Sequence, residues 1–374
     1  MENKLKNYRI EIGEGEKTPF RRELGVYQDG TTPMARDKSG VLWAVSGTTQ
    51  TGQVAVYRGE TAADLREAWS ASFRFSVGTS GAAFCGVRYP EGVLSRGHVW
   101  PFGLYICPNT GRFFLFFHNE TGWHARDTGY DSFGLCSTPR YDTDFRHIGL
   151  LHSDDEGRTW EFDRWILAAE EPCFCADYKP TGAEHLVGQP HGVIRLGAGD
   201  FTLFDDPDGE YLYLVYNIAS VNQDTGLWEG CNAYVARSRK RKDGVMGDFV
   251  KWYDGAFCEA GLFGKESPIM ENIWHARIVR CEPLGCYVMS GCPIDNSIDP
   301  KQPILNVTVL HTGNTLTEWS ERITVTKDGK PFGNHYVALV PDGREPPSVI
   351  GGSFYFLLNH NATDVIRHHA KLQK

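Results

Sequence analysis

Four acidic residues stand where a chain could use them for acid–base chemistry: Asp29 in "YQDGTTPM", Asp200 in "GAGDFTLF", Glu266 in "GKESPIMENIW" and Glu345 in "DGREPPSVI". Asp200 and Glu345 fall at the start of apolar runs that read as β-strands. Asp29 lies just ahead of another run, with Thr31 nearer its start. Glu266 is the competitor to Glu345, in the connection that leads into the next repeat. A carboxylate at a strand entrance has no backbone-pairing role, and partial burial there raises its pKa. Two or three such groups around one cavity suit cleavage of a glycosidic bond: one donates a proton to the leaving oxygen, and another activates water or attacks. The competing reading of each is a surface salt bridge or a strand cap.

The histidines offer a rival chemistry. His98, His191, His275 and His335 fall just before or at predicted inner strands, and His118 lies at a loop of the same face. Such a ring could hold a divalent metal, or supply the base for β-elimination on a uronic acid while Arg88, Arg96, Arg140, Arg146 or Arg344 holds the carboxylate. Hydrogen bonding to sugar hydroxyls is the simpler use. Trp100, Trp123, Trp228, Trp274 and Tyr336 suit either stacking on sugar rings or core packing. His98, Trp100, His118, His191, Asn217, Trp274, His275, His335 and Arg344 are thus the substrate-binding candidates. No cofactor is expected beyond a conditional metal on His98, His191, His275 and His335.

A repeat must position these residues. Five segments share an apolar strand, a tight turn and an aromatic-rich strand: "TPMARDKSGVLWAV" (32–45), "PFGLYICPNTGRFFLFFHN" (101–119), "DFTLFDDPDGEYLYLVYN" (200–217), "HARIVRCEPLGCYVMSG" (275–291) and "EPPSVIGGSFYFLLNH" (345–360). The turns "DKSG", "PNTG", "DPDG" and "EPLG" are good hairpin sequences. Each of the first four segments is followed by a second hairpin that closes on a tryptophan. Two hairpins per repeat make the four antiparallel strands of a propeller blade. The fifth repeat lacks its fourth strand, which "NYRIEIGE" near the N-terminus can supply, removing the open edges.

The reading is an all-β, five-bladed propeller occupying 1–374 as one domain. Its blades fall at about 26–80, 95–170, 188–262, 268–328 and 335–374, the last completed by the N-terminal strand. Within each blade, strands A to D run from the channel outwards. The loops between strands B and C are expected to be long at 118–147, 216–232 and 290–306, all on the face where the A strands begin. Long loops on one rigid face are where a site is usually built.

Two resemblances follow from particular motifs. Ser153-x-Asp155-x-Gly157-x-Thr159-Trp160 resembles the Asp box of sialidases and related propellers, where it implies a structural turn on the rim. "TTPMARDKSGVLWAV" is similar to a sialidase first-blade strand, but Arg36 is wrongly placed for a sialidase arginine triad and no sixth repeat is found. "GDFTLFDDPDGEYLYLVYN" resembles a blade of the five-bladed arabinanase, xylosidase and furanosidase propellers, and "EPPSVIGGSFYF" their Glu-x-Pro segment. That resemblance implies Asp200 as an orienting carboxylate, Glu345 as proton donor and Asp29 as base or nucleophile. A whole blade intervenes between the two matched segments, where those families have them adjacent.

Bulk properties narrow the partners. A net charge of −9 without a basic face argues against nucleic acid and anionic membranes. The polar start "MENKLKNYRIEIGEGEK" has no apolar stretch after its charges, and no run is long enough for a transmembrane helix, so a cytoplasmic setting with reduced thiols is expected. The expected activity is a glycoside hydrolase acting on a short oligosaccharide or glycoside. The alternatives are a histidine/tyrosine lyase and a non-catalytic glycan- or protein-binding propeller.

Overall fold

A computed structural model describes residues 1–20, 31–48, 53–72, 98–120, 146–170, 193–222, 225, 227–299, 303–334, 336–360 and 364–374. These form five antiparallel blades around a central channel. Blade I comprises Met34–Arg36, Leu42–Thr48, Gln53–Gly59 and Arg66–Ser72 as strands A to D. Blade II comprises His98–Ile106, Phe113–Glu120, Arg146–Ser153 and Glu161–Ala168. Blade III comprises Gly199–Asp205, Tyr211–Asn222, Leu227–Arg239 and Val250–Tyr253. Val193–Arg195 extends its inner edge and Ala256–Ala260 its outer one. Blade IV comprises Ile273–Cys281, Cys286–Pro293, Val309–Gly313 and Ile323–Thr324. Blade V comprises Val337–Pro341, Ser353–His360, Asp364–Gln373 and, from the N-terminus, Arg9–Lys17.

That last pairing closes the ring. Arg9–Lys17 lies antiparallel to Asp364–Gln373, with Ile10 opposite Leu372 and Lys17 opposite Ile366. The buried Asn3 anchors the approach: its Nδ2 donates to the carbonyls of Leu310 (3.0 Å) and Glu321 (2.9 Å).

The sequence of each strand explains its packing. A blade is buried on both faces, so its inner strands read as unbroken apolar runs rather than alternating ones. In strand B of blade II, Phe113, Leu115 and Phe117 pack towards blade I, while Phe114 and Phe116 pack towards blade III. The same two-residue period builds a core between each pair of neighbouring blades, including V with I.

The turn at Ser153–Trp160 joins strands C and D of blade II. Ser153 Oγ donates to Asp155 Oδ1 (2.7 Å) and accepts from the Gly157 N–H (2.8 Å), and the Thr159 N–H donates to Asp155 Oδ1 (2.8 Å). Gly157 has φ 82°, a backbone conformation that favours glycine, and Trp160 is buried beneath the turn.

Two expectations about the loops change. Residues 216–232 are mostly not a loop, because strands B and C of blade III continue as a hairpin as far as Asn222 opposite Leu227. The inner strand of blade V is Val337–Pro341, not "EPPSVI". Val349–Ile350 instead adds in parallel to the inner strand of blade IV. The connection between strands A and B of blade V is therefore much longer than the "DKSG" type of turn. Aligning the repeat on Gly351 and Gly352 put the strand one segment too late.

Candidate active site at the channel mouth

The A strands begin at one end of the channel, and three polar side chains gather there from two neighbouring blades. Asp200 is the second residue of its strand and is buried. Arg146, the first residue of strand C in blade II, places Nη1 3.6 Å from Asp200 Oδ2, with both side chains nearly inaccessible. The approach depends on Gly199. A Cβ there would lie 2.5 Å from Arg146 Cδ and 2.8 Å from His118 Cε1, so only glycine lets the strand pass this close. His118, at the end of strand B in blade II, is buried beside Trp100 and stacks on Phe102 with ring centroids 5.6 Å apart.

His275 makes the widest set of contacts between blades at this end. Although it belongs to blade IV, its Nε2 accepts the Thr31 N–H of blade I (3.3 Å). Its ring also meets Phe102 of blade II (5.6 Å) and Tyr336 of blade V (4.6 Å) edge-on. One imidazole thus touches three blades besides its own. Its backbone is in the left-handed region at φ 51°, within a break in pairing between Trp274 and Arg277. Such a conformation costs a β-carbon-bearing residue of the order of 1–2 kcal/mol and survives only where neighbours enforce it. The enforcer is Asn217: its Oδ1 accepts the His275 N–H (2.7 Å), while its Nδ2 donates to the carbonyls of Ile273 (2.8 Å) and Asn232 (3.1 Å). Because Nε2 accepts from Thr31, the neutral ring carries its proton on Nδ1.

Burial tunes the neighbours. Cys231, close to Asp200 and Arg146, has its pKa pushed well up by burial and then by Asp200, so it stays a neutral thiol. His147 is held down to about 3 by burial and then by His118, so it stays a neutral imidazole. Thr31 Oγ1 is buried and has no hydrogen-bond partner among the described residues.

The structure brings some sequence candidates together and separates others. Asp200, His118, Trp100, Trp274, His275 and Asn217 belong to the mouth end. Trp100 and Trp274 are 1% and 4% exposed, too buried to offer a stacking face, and Trp274 packs against Trp228 (5.1 Å). Asn217 spends its carboxamide on the backbone and positions His275 rather than facing a ligand.

Glu345 is on the wrong face. It follows the end of strand A in blade V, so it lies with the A–B turns; its carbonyl accepts from Arg36, and Ser348 bonds the carbonyl of Asp205 at the far end of blade III. From Asp200 to Asp205 is five residues, about 16 Å of strand. Arg344 shares that face, where it is exposed and pairs with Glu60. Glu266 does lie in the connection into blade IV, but its side chain is fully buried between Lys251 Nζ and Arg195 Nη2 (2.7 Å from Glu266 Oε1). Lys251 Nζ also donates to the carbonyls of Ala168 (2.7 Å) and Gly264 (2.8 Å), so the cluster ties blade III to blade II.

Asp29, His191 and His335 lie outside the described residues, as does the side chain of His98. Among the described residues no group of three His, Cys, Asp or Glu side chains is placed to hold a metal, no helix is long and apolar enough to cross a membrane, and the cysteines are unpaired. Sequence reasoning named Arg146 only as one of five arginines free to hold a carboxylate, and it did not pair Arg146 with Asp200. Arg146 heads a strand directly after a long connection, and that position was the available signal.

No protein-family model and no curated protein matches the chain. Among solved structures it is similar to an exo-β-1,3-galactanase from Phanerochaete chrysosporium, at 10% identity and TM-score 0.48. That match covers 98% of this chain but 64% of the galactanase. It is also similar to a family 117 glycoside hydrolase from Zobellia galactanivorans, at 10% identity and TM-score 0.46 over 99% and 92% of the two chains. An α-L-arabinofuranosidase from Lactobacillus brevis matches at 12% identity and TM-score 0.41, over 96% and 92%.

Proposed function

We propose that this propeller hydrolyses a glycosidic bond in a short oligosaccharide or glycoside at the mouth where its inner strands begin. The observation that carries the reading is Asp200, a buried carboxylate at the start of an inner strand, held by Arg146 from the neighbouring blade. In this role Asp200 orients the substrate and the attacking water. Asp29, two residues ahead of the buried Thr31, is the second carboxylate of the proposal. Glu345 has no part in it, and Glu266 keeps its structural place with Lys251 and Arg195. A buried, prearranged ion pair suits charge that develops at an oxocarbenium-like transition state, because little reorganisation is needed as the bond breaks.

A second reading has its own support. Arg146, His118 and His275 gather at one mouth with Tyr336 against His275, and those are the residue types a β-elimination on a uronic acid would use. Product mass separates the two. Incubation with a panel of neutral and acidic oligosaccharides is expected to give products that together gain one water, and Asp200→Asn is expected to lower the rate about 10³-fold. Unsaturated products without water gain overturn hydrolysis in favour of elimination. No turnover across the panel overturns both and leaves a binding propeller.

A further inference from the structure

Beneath His275 the channel opens towards the opposite face as a cavity of about 260 Å³. Its wall takes residues from every blade, among them Ala35, Leu104, Leu203, Arg277 and Pro346. Arg277 is the anomaly. It is 7% exposed, and among the described residues it has no hydrogen-bond or ion-pair partner; its Nε is wholly buried. Burial alone lowers its pKa, to about 10, so it remains a cation at neutral pH.

The other charges on this wall are already engaged. Asp37 accepts from the N–H groups of Ser39 (2.8 Å) and Val41 (3.1 Å) and from Trp43 Nε1 (2.8 Å). Asp205 faces Lys240 Nζ at 2.6 Å. Arg36 donates to the carbonyls of Gly40, Glu60 and Glu345. A buried cation left unpaired costs several kcal/mol, and a water, at about 30 Å³ each, supplies dipoles but no charge. The cavity has room for an anion together with waters.

We propose that this cavity is an anion site, in which a small monoanion, either a halide or a compact carboxylate, sits against the guanidinium of Arg277 and braces the five inner strands at the end remote from Asp200. A single negative charge fits the surroundings, since Asp37 and Asp205 on the same wall oppose a higher one. An anion that binds only the folded state raises the melting temperature with the logarithm of its concentration.

The test is a series of melting curves at constant ionic strength in sodium HEPES, with chloride or acetate replacing the bulky sulfonate. The wild-type midpoint is expected to climb with one or both anions, and the Arg277→Met midpoint to stay flat. A response to chloride alone identifies a halide site, and a response to acetate a carboxylate site. A flat wild-type response, or an equal slope in Arg277→Met, overturns the proposal. Should Arg277→Met not fold, wild-type crystals soaked separately in bromide and in bromoacetate decide: an anomalous peak beside Arg277 with either supports the site, and no peak with both overturns it.

Discussion

The two ends of the central channel use charge in opposite ways. At the mouth, Asp200 and Arg146 come from neighbouring blades, are both buried and face each other, and His275 bridges to three further blades. At the far end Glu345 and Arg344 sit on an exposed connection, and Arg277 stands buried without a partner among the described residues. The difference teaches where a propeller can build chemistry. The starts of the inner strands converge and are followed or preceded by long connections, so groups from several blades meet there. The far end carries short turns in blades I to IV and a longer connection in blade V, and what it buries must be balanced by a ligand or at a cost in stability.

The largest expected contrast is catalytic. Asp200→Asn should lower kcat/KM about 10³-fold, roughly 4 kcal/mol on the barrier, whereas Glu345→Gln should leave it within about twofold. Steady-state assays on the substrate found in the product screen would check this, and equal losses would dissolve the distinction between the ends. The next contrast concerns stability. Glu266→Gln leaves Lys251 and Arg195 without their buried counter-charge and should cost about 3–5 kcal/mol in denaturant unfolding. Glu345→Gln on the exposed connection should cost under about 0.5 kcal/mol.

Packing supplies a smaller effect. Gly199→Ala drives a methyl group into Arg146 and His118 and should cost about 1–3 kcal/mol together with much of the activity. Gly352→Ala, which meets nothing within 4 Å at the far end, should change stability little when melted alongside it. Acid sensitivity should also belong to the mouth. Folded His147 resists protonation until about pH 3, while the unfolded chain takes up that proton near 6.5. Between those values the unfolded state binds more protons, so stability falls as the pH is lowered, by up to about 2 kcal/mol at pH 5. His147→Leu should flatten that part of the pH profile. His311, also held low chiefly by burial, adds a slope of the same sign.

Much of this architecture was legible from residue order. Four of the five inner hairpins lie where the repeat puts them, and the N-terminal "RIEIGEGEK" strand completes blade V, because hairpin turns and runs buried on both faces leave local marks. Blade V itself was misread: "YVALVP" and "PSVI" are both short apolar runs beside turn residues, and only pairing with Ser353–His360 selects the first as the inner strand. That one shift carried Glu345 to the opposite face. Glu266 was correctly located in its connection, yet nothing local announces Lys251 and Arg195 as its partners from 15 and 71 residues away.

What the sequence determined by itself was the repeat: period, turns, strand count, closure and the position of Asp200 at the head of an inner strand. Those properties depend on neighbours within a few residues. What only the tertiary structure decided was which charges meet. The pairing of Arg146 with Asp200, the reach of His275 to Thr31 and the isolation of Arg277 join or separate residues tens to hundreds of positions apart. Burial fixes the energy of each charge, and burial is created only when the five blades close on one another.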